Sequence, residues 1–317
     1  MNFPENLNIS PSVFPENQWV NTTSAINSDD VFGFAAQREG IEKYGIAGRI
    51  WEAAYVLSIY VNPPSNLLFD PPFATPSSSH CPRTILELGS GAGMTSARIA
   101  ETLTDQDMLI VTDLPEVCPL LASNLKACRS STFPESSIHV RPLAWGEEPH
   151  AVAIASELLV RPNGARTLTH VLCSDLIYFP ELLAPLLRSL LQVTSPPFSS
   201  TEDPTQASGV TVVISYKLRS LSKEAPFWSA FGLWFTFKPV LVKDTSSGDG
   251  TWQRFGASSD DPMFIFIANR RPESYAWKIP THNSDLLAGR GAVADDSAKA
   301  DDTFETLLFM TLEGSEA

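Results

Sequence analysis

The stretch TILELGSGAGMTSARIA, Thr84 to Ala100, limits what this chain can fold into more than any other. A run of strand length, apolar apart from Glu87, is followed by Gly89, Gly91 and Gly93 at alternate positions, and helix-like sequence resumes at Met94. Glycine adopts positive φ without steric cost and lets backbone come close to a neighbour. A strand that turns into a helix on such residues is the opening unit of a parallel sheet. In open sheets of that kind the first turn is a usual ligand contact.

The rest of the chain repeats the alternation. MLIVTD reads as a strand after the helix Met94 to Leu103, and Val117 to Cys128 as the next helix. IHVRPLAW and THVLCSD follow as strands, then a helix from Pro180 to about Val193 and the strand GVTVVISYK. Strands alternating with helices imply right-handed parallel crossovers, a doubly wound α/β architecture. The runs LWFTFKPVLV and MFIFIANRR, joined by the loop DTSSGDGTWQRFGASSDD, read as an antiparallel pair closing one edge. Upstream, GIAGRIWEAAYVLSIYV reads as a largely buried helix, because apolar residues cover most of its turns. The proline- and serine-rich segment Asn62 to Pro82 reads as a linker, and TSPPFSSTEDPTQASG as a disordered insertion before the fifth strand. Residues 1–30 are polar and aperiodic, expected as a partly ordered arm; residues 31–272 are expected as the principal domain and 273–317 as an acidic extension.

Two ligand classes compete for the turn. A dinucleotide fold uses G-x-G-x-x-G with pyrophosphate at the helix N-terminus, but here the position of the third glycine is Met94. S-adenosylmethionine carries no phosphate; its ammonium and ribose diol call for close backbone together with acceptors. Glu87 just before the turn and Asp113 at the end of the second strand are such acceptors. An acid at Asp113 serves the ribose of either ligand, so it does not discriminate by itself.

Five stretches carry a resemblance: GRIWEAAYVLSIYV, ILELGSGAGMTSARIA, VTDLPEVCPLLASNL, RPLAWGEE and SDLIYFPELLAPLLRSL. Together they span roughly residues 48–270 and resemble the class I seven-stranded methyltransferases, more narrowly methyltransferase family 16, a protein N-lysine methyltransferase group. The resemblance implies a Rossmann-like sheet in the order 3-2-1-4-5-7-6 with the last strand antiparallel and helices on both faces. It implies S-adenosylmethionine as cofactor and S-adenosylhomocysteine as product. Trp51, Gly89, Ser90, Gly91, Asp113, Trp145 and Ser174 are expected to line the cofactor site, with Glu87 beside them. Asp175 and Tyr178 of SDLIY are expected on the acceptor side, the carboxylate orienting a lysine ammonium and the ring walling the site. An alternative for Asp175 is a local cap before the next helix. Tyr216, Lys217 and Arg219 stand at another strand end, and Trp228 and Phe231 on a helix after it; one reading has them shape the acceptor mouth, and a basic strand end and a core stripe are the plainer one.

The resemblance implies a protein partner with an accessible lysine, of translation-factor or chaperone type. A small amine or pyridine acceptor, or a non-catalytic binding protein that keeps the fold, are the alternatives. A formal charge of −14 opposes a nucleic-acid partner, since phosphate binding needs a basic face. No apolar run is long enough to span a bilayer, and the first residues lack a signal peptide's pattern, so a cytoplasmic protein is expected, with the nucleus as the second location; separately, a monomer is expected. The four cysteines have neither metal spacing nor a disulfide framework, and no metal is expected.

Overall fold

A computed structural model describes residues 9–13, 29–74, 81–128, 137–160, 165–200, 209–246, 250–256 and 263–313. The order begins with α1 (Asp29–Phe32), α2 (Phe34–Tyr44), α3 (Glu52–Val61), β1 (Leu67–Asp70), β2 (Thr84–Leu88) and α4 (Met94–Ala100). It continues with β3 (Met108–Asp113), α5 (Cys118–Ala127), β4 (Ile138–Pro142), α6 (Glu148–Ile154), β5 (His170–Ser174) and α7 (Pro180–Val193). Then come β6 (Thr211–Lys217), α8 (Leu221–Trp234), β7 (Phe235–Pro239), β8 (Leu241–Asp244), β9 (Gln253–Arg254), β10 (Met263–Arg270), α9 (Asn283–Leu287) and α10 (Thr303–Glu313).

Seven strands form one sheet in the order β4-β3-β2-β5-β6-β10-β7. The five on the β4 side are parallel, and β10 runs antiparallel to both its neighbours. In order of first appearance along this sheet that is 3-2-1-4-5-7-6, as the resemblance implies. The central strands are buried on both faces because crossover helices cover both. Alternation along β2 divides the core: Leu86 and Leu88 face the layer of α6, α7 and α8, while Ile85 faces the layer of α3, α4 and α5. On α7, Leu183, Leu187, Leu190 and Leu191 recur at helical spacing and are sealed against the sheet, each contributing roughly 1.5–3 kcal/mol of apolar burial.

Four local expectations are corrected. The early helix is shorter than its apolar pattern: a 3-10 turn covers Gly45–Gly48, the chain is extended at Trp51, and regular helix starts at Glu52. Trp51 therefore precedes the helix, and its indole N–H donates to Ile46 O at 3.1 Å. The Asn62 to Pro82 linker holds β1, which pairs antiparallel with β8 in a small second sheet; residues 75–80 lie outside the described residues. The run LWFTFKPVLV is not one strand: its start ends α8, and the remainder divides into β7 of the large sheet and β8 of the small one at Val240. The insertion after α7 is packed in its first half, where Thr194 and Phe198 are buried and Phe198 O accepts the Leu168 N–H at 2.7 Å; residues 201–208 lie outside the described residues. β1 was hidden by its flanking prolines and β8 by its continuity with β7, since four residues carry too little periodicity to read.

Candidate active site

The turn after β2 is built as its glycines require. Gly89, Gly91 and Gly93 have φ of 58°, 53° and 86°, the left-handed region. Space is short as well: a Cβ on Gly89 would lie 2.9 Å from Trp145 Cζ2 and 2.8 Å from Leu176 Cδ2, and one on Gly91 would lie 3.0 Å from Ala47 O. Ser90 N–H donates to Thr112 O at 2.9 Å, tying the turn to β3. Asp113 completes that join. Its Oδ2 accepts the Gly91 N–H at 2.7 Å and its Oδ1 accepts the Leu114 N–H at 2.7 Å.

These groups wall a cavity of about 680 Å³ over the carboxyl ends of the parallel strands, within the range of small-molecule sites. The ten residues expected on the cofactor and acceptor sides all line it: Trp51, Glu87, Gly89, Ser90, Gly91, Asp113, Trp145, Ser174, Asp175 and Tyr178; of the further strand-end and helix candidates Arg219 does, and Tyr216, Lys217, Trp228 and Phe231 do not. Burial pushes the Asp113 carboxyl up to about 6 against its two backbone donors, and pushes Glu87 up to about 7 although Ser96 and Ser90 favour its charge. Ser174 Oγ is buried and has no hydrogen-bond partner among the described residues. Trp145 and Tyr178 meet edge to face at 6.3 Å, and Tyr178 and Phe179 at 4.8 Å. Burial, with Asp113, Asp175 and Glu181 adding to it, holds the Tyr178 phenol well above its ordinary value, so the hydroxyl keeps its proton.

One arrangement was not legible beforehand. Asp175 does not cap α7, whose N-cap is Phe179. Its side chain is fully shielded from solvent, its φ is 60°, and it forms a bidentate pair with Arg219: Nη1 donates to Oδ1 at 2.7 Å and Nη2 donates to Oδ2. Arg219, in the loop between β6 and α8, lines the same cavity. Its guanidinium lies 5.4 Å from the Trp51 ring centre, and that of Arg49 4.5 Å from the same ring. The plainer reading holds for Trp228 and Phe231, both fully buried in the core.

A glycine turn at the sheet's carboxyl edge, a strand-end acid bonded to it and a cavity with aromatic walls define a class: S-adenosylmethionine-dependent methyltransferases of the doubly wound type. Residues 34–228, more than half of the chain, match the family model described as lysine methyltransferase, and the chain belongs to that family. Solved structures similar to it include the O-methyltransferase TomG from Streptomyces achromogenes in complex with S-adenosylmethionine, 13% identical, with 78% of this chain and 92% of that one covered and a TM-score of 0.42. The human methyltransferase 10 domain containing protein is 12% identical, with coverages of 62% and 75% and a TM-score of 0.36. The CurJ carbon methyltransferase is 13% identical over 62% of this chain, which spans 50% of that longer one, with a TM-score of 0.36. Among the described residues no helix is long and apolar enough to cross a membrane, and no three His, Cys, Asp or Glu side chains are placed to hold a metal.

Proposed function

We propose that this chain transfers a methyl group from S-adenosylmethionine to the side-chain nitrogen of a lysine in a protein. The observation that carries the reading is the meeting of two half-sites in one cavity, the Gly89–Asp113 turn at one side and Asp175 with Tyr178 at the other. S-adenosylmethionine, when bound, supplies a methyl on a positively charged sulfur, transferable to a neutral nitrogen.

The residues fit that group. The backbone of Gly89, Ser90 and Gly91 is the close wall, and the second lone pairs of Asp113 are suited to accepting ribose hydroxyls. Trp145 offers a flat face to an adenine ring, Ser174 Oγ an uncommitted hydroxyl, Glu87 an acceptor beneath the turn, and Trp51 a cover. On the acceptor side Tyr178, Phe179 and Trp145 exclude water, and desolvation disfavours the charged form of an amine whose solution pKa is about 10.4. Tyr178 keeps its proton and so serves as wall and donor rather than base. Alignment and desolvation supply most of the rate in such a site. On this reading residues 31–272 are the catalytic domain, with residues 1–30 an arm and 273–317 an extension.

The test is incubation with labelled S-adenosylmethionine and a lysate of the source organism. Label on protein lysine that disappears with Asp113→Ala is the expected result. Label confined to small molecules rejects the lysine reading and favours a small amine acceptor. Protein that binds no S-adenosylmethionine is left with the non-catalytic reading.

A further inference from the structure

The acceptor side of the cavity contains an electrostatic contradiction. A lysine enters as R–NH3+ and must release one proton to water before its lone pair is free. A bare carboxylate beside it stabilises the ammonium and holds that proton in place. Asp175 is such a carboxylate, but it is not bare. Arg219 covers both of its oxygens, and the Lys217 N–H approaches Oδ1 at 3.4 Å.

We propose that Arg219 is a positioning residue that neutralises the buried Asp175 carboxylate, so that its charge does not hold an incoming amine protonated. The proposal rests on the acceptor reading above. Arg219 is itself placed from several sides. Its backbone N–H donates to Glu224 Oε2 at 3.3 Å, and the Ser220 N–H donates to Glu224 Oε1 at 3.1 Å, which fixes the loop to the first turn of α8. Nη1 donates to Lys217 O at 3.1 Å, and Nη2 stands 3.9 Å from Glu52 Oε2. Glu52 also takes Arg49, and lies 4.0 Å from Lys217 Nζ. The charges around the acceptor position among the described residues include Asp175 after β5, Lys217 at the end of β6 and Arg219 after it, Glu52 on α3 with Arg49 just before it, Glu224 on α8, and Asp113 and Glu181 acting on Tyr178, with Lys43, Glu87 and Glu116 elsewhere on the same cavity wall. Among them the Asp175–Arg219 pair alone is bidentate, inside the cavity and shielded on its acidic side. A neighbouring cation also lowers an amine's proton affinity, which is how amine nucleophiles are commonly activated.

The test compares wild type with Arg219→Gln, Asp175→Asn, the double variant and Arg219→Lys. Two quantities are read: the pH profile of kcat on a lysine peptide selected from an array with tritiated S-adenosylmethionine, and the calorimetric affinity of n-butylammonium at pH 7 for protein loaded with S-adenosylhomocysteine. In Arg219→Gln the acid limb moves up by about one pH unit. Its kcat at pH 7 falls about tenfold, KM for the peptide falls, and butylammonium binds about tenfold more tightly. Asp175→Asn moves limb and affinity the opposite way. The double variant, neutral at the pair like wild type, brings the limb back, and Arg219→Lys leaves it in place. If Arg219→Gln does not fold, Asp175→Asn and the double variant carry the comparison, since neither leaves a buried unpaired carboxylate. A limb that ignores the charge of the pair, in wild-type-like fold, assigns Arg219 to structure alone and overturns the proposal. Wild type that binds S-adenosylmethionine but labels no lysine overturns the acceptor reading, and this inference with it.

Discussion

Glu87 and Asp113 are two carboxyl groups whose burial works against their charge, and the consequence is a pH dependence of known sign. For each, the folded value, about 7 and about 6, lies above the ordinary carboxylate range. The stability they contribute to the ligand-free protein is therefore fully present below about pH 4 and is lost as pH rises through 6 and then 7. Cofactor binding runs the other way. On the proposed role of Asp113, accepting ribose hydroxyl donors favours its ionised form, so a proton must leave before binding below about pH 6. Calorimetry should find affinity for S-adenosylmethionine about tenfold weaker at pH 5 than at pH 7.5, and Asp113→Asn should be weak at both. An affinity that is level across this range would sink the assignment of Asp113. This acid was legible in the sequence, because its place at a strand end beside a glycine turn is a local matter. Arg219 was not. Its partner is 44 residues away, and the two meet only because β5 and β6 pair in parallel with Ser174 opposite Ser215.

At the scale of elements, the Trp145 loop shows how a helix can position a side chain it does not carry. Gly146, with φ of 82°, donates its N–H to Ser189 Oγ on α7 at 2.8 Å, and the Ala144 N–H donates to His150 Nδ1 at 3.2 Å. The Trp-Gly pair is thereby hung between α6 and α7. Ser189 is buried, at 1% exposure, so removing its hydroxyl leaves the Gly146 N–H without this acceptor. Ser189→Ala should cost about 1–3 kcal/mol of stability. It should also weaken S-adenosylmethionine binding several-fold, whereas Ser189→Thr should keep most of both; thermal unfolding with calorimetry reads the pair. A loss of stability without any change in affinity would show that the loop is held by other contacts. The strand order came from the resemblance alone, whereas the doubly wound α/β class was legible, because strands alternating with helices permit few topologies. The small sheet was not, since β1 and β8 are four residues each and find each other across most of the chain. The polar tie on Ser189 escaped for a related reason: a serine inside an apolar helix stripe has no pattern of its own.

At the scale of the whole molecule, the described parts of both ends return to the core. Near the start, Ser12 N–H donates to Gln37 Oε1 at 3.0 Å and Gln37 Nε2 donates back to Ser12 O at 3.1 Å, while the Ile50 N–H shares Oε1 at 3.2 Å. That buried amide joins the arm to the segment leading into Trp51, and Ile9 of the arm reaches the cavity wall. Near the end, the acidic composition after Pro272 suggests a solvated extension, yet Phe304 is fully buried. Its ring stacks on Trp228 at 4.6 Å and 6°, with Tyr216 and Phe266 around it. One aromatic among many acids is invisible to a compositional reading, but it completes a layer that β6, β10 and α8 leave open. Phe304→Ala should therefore destabilise the protein by about 3–5 kcal/mol, as expected for emptying a core position of this size. Thermal unfolding should move down by roughly 10 °C. Because Phe304 does not line the cavity, affinity for S-adenosylmethionine measured well below that transition should be unchanged. An unshifted transition would mean that the tail is not part of the folded body in solution, and an affinity that falls with it would mean that the aromatic layer holds the strand ends in place.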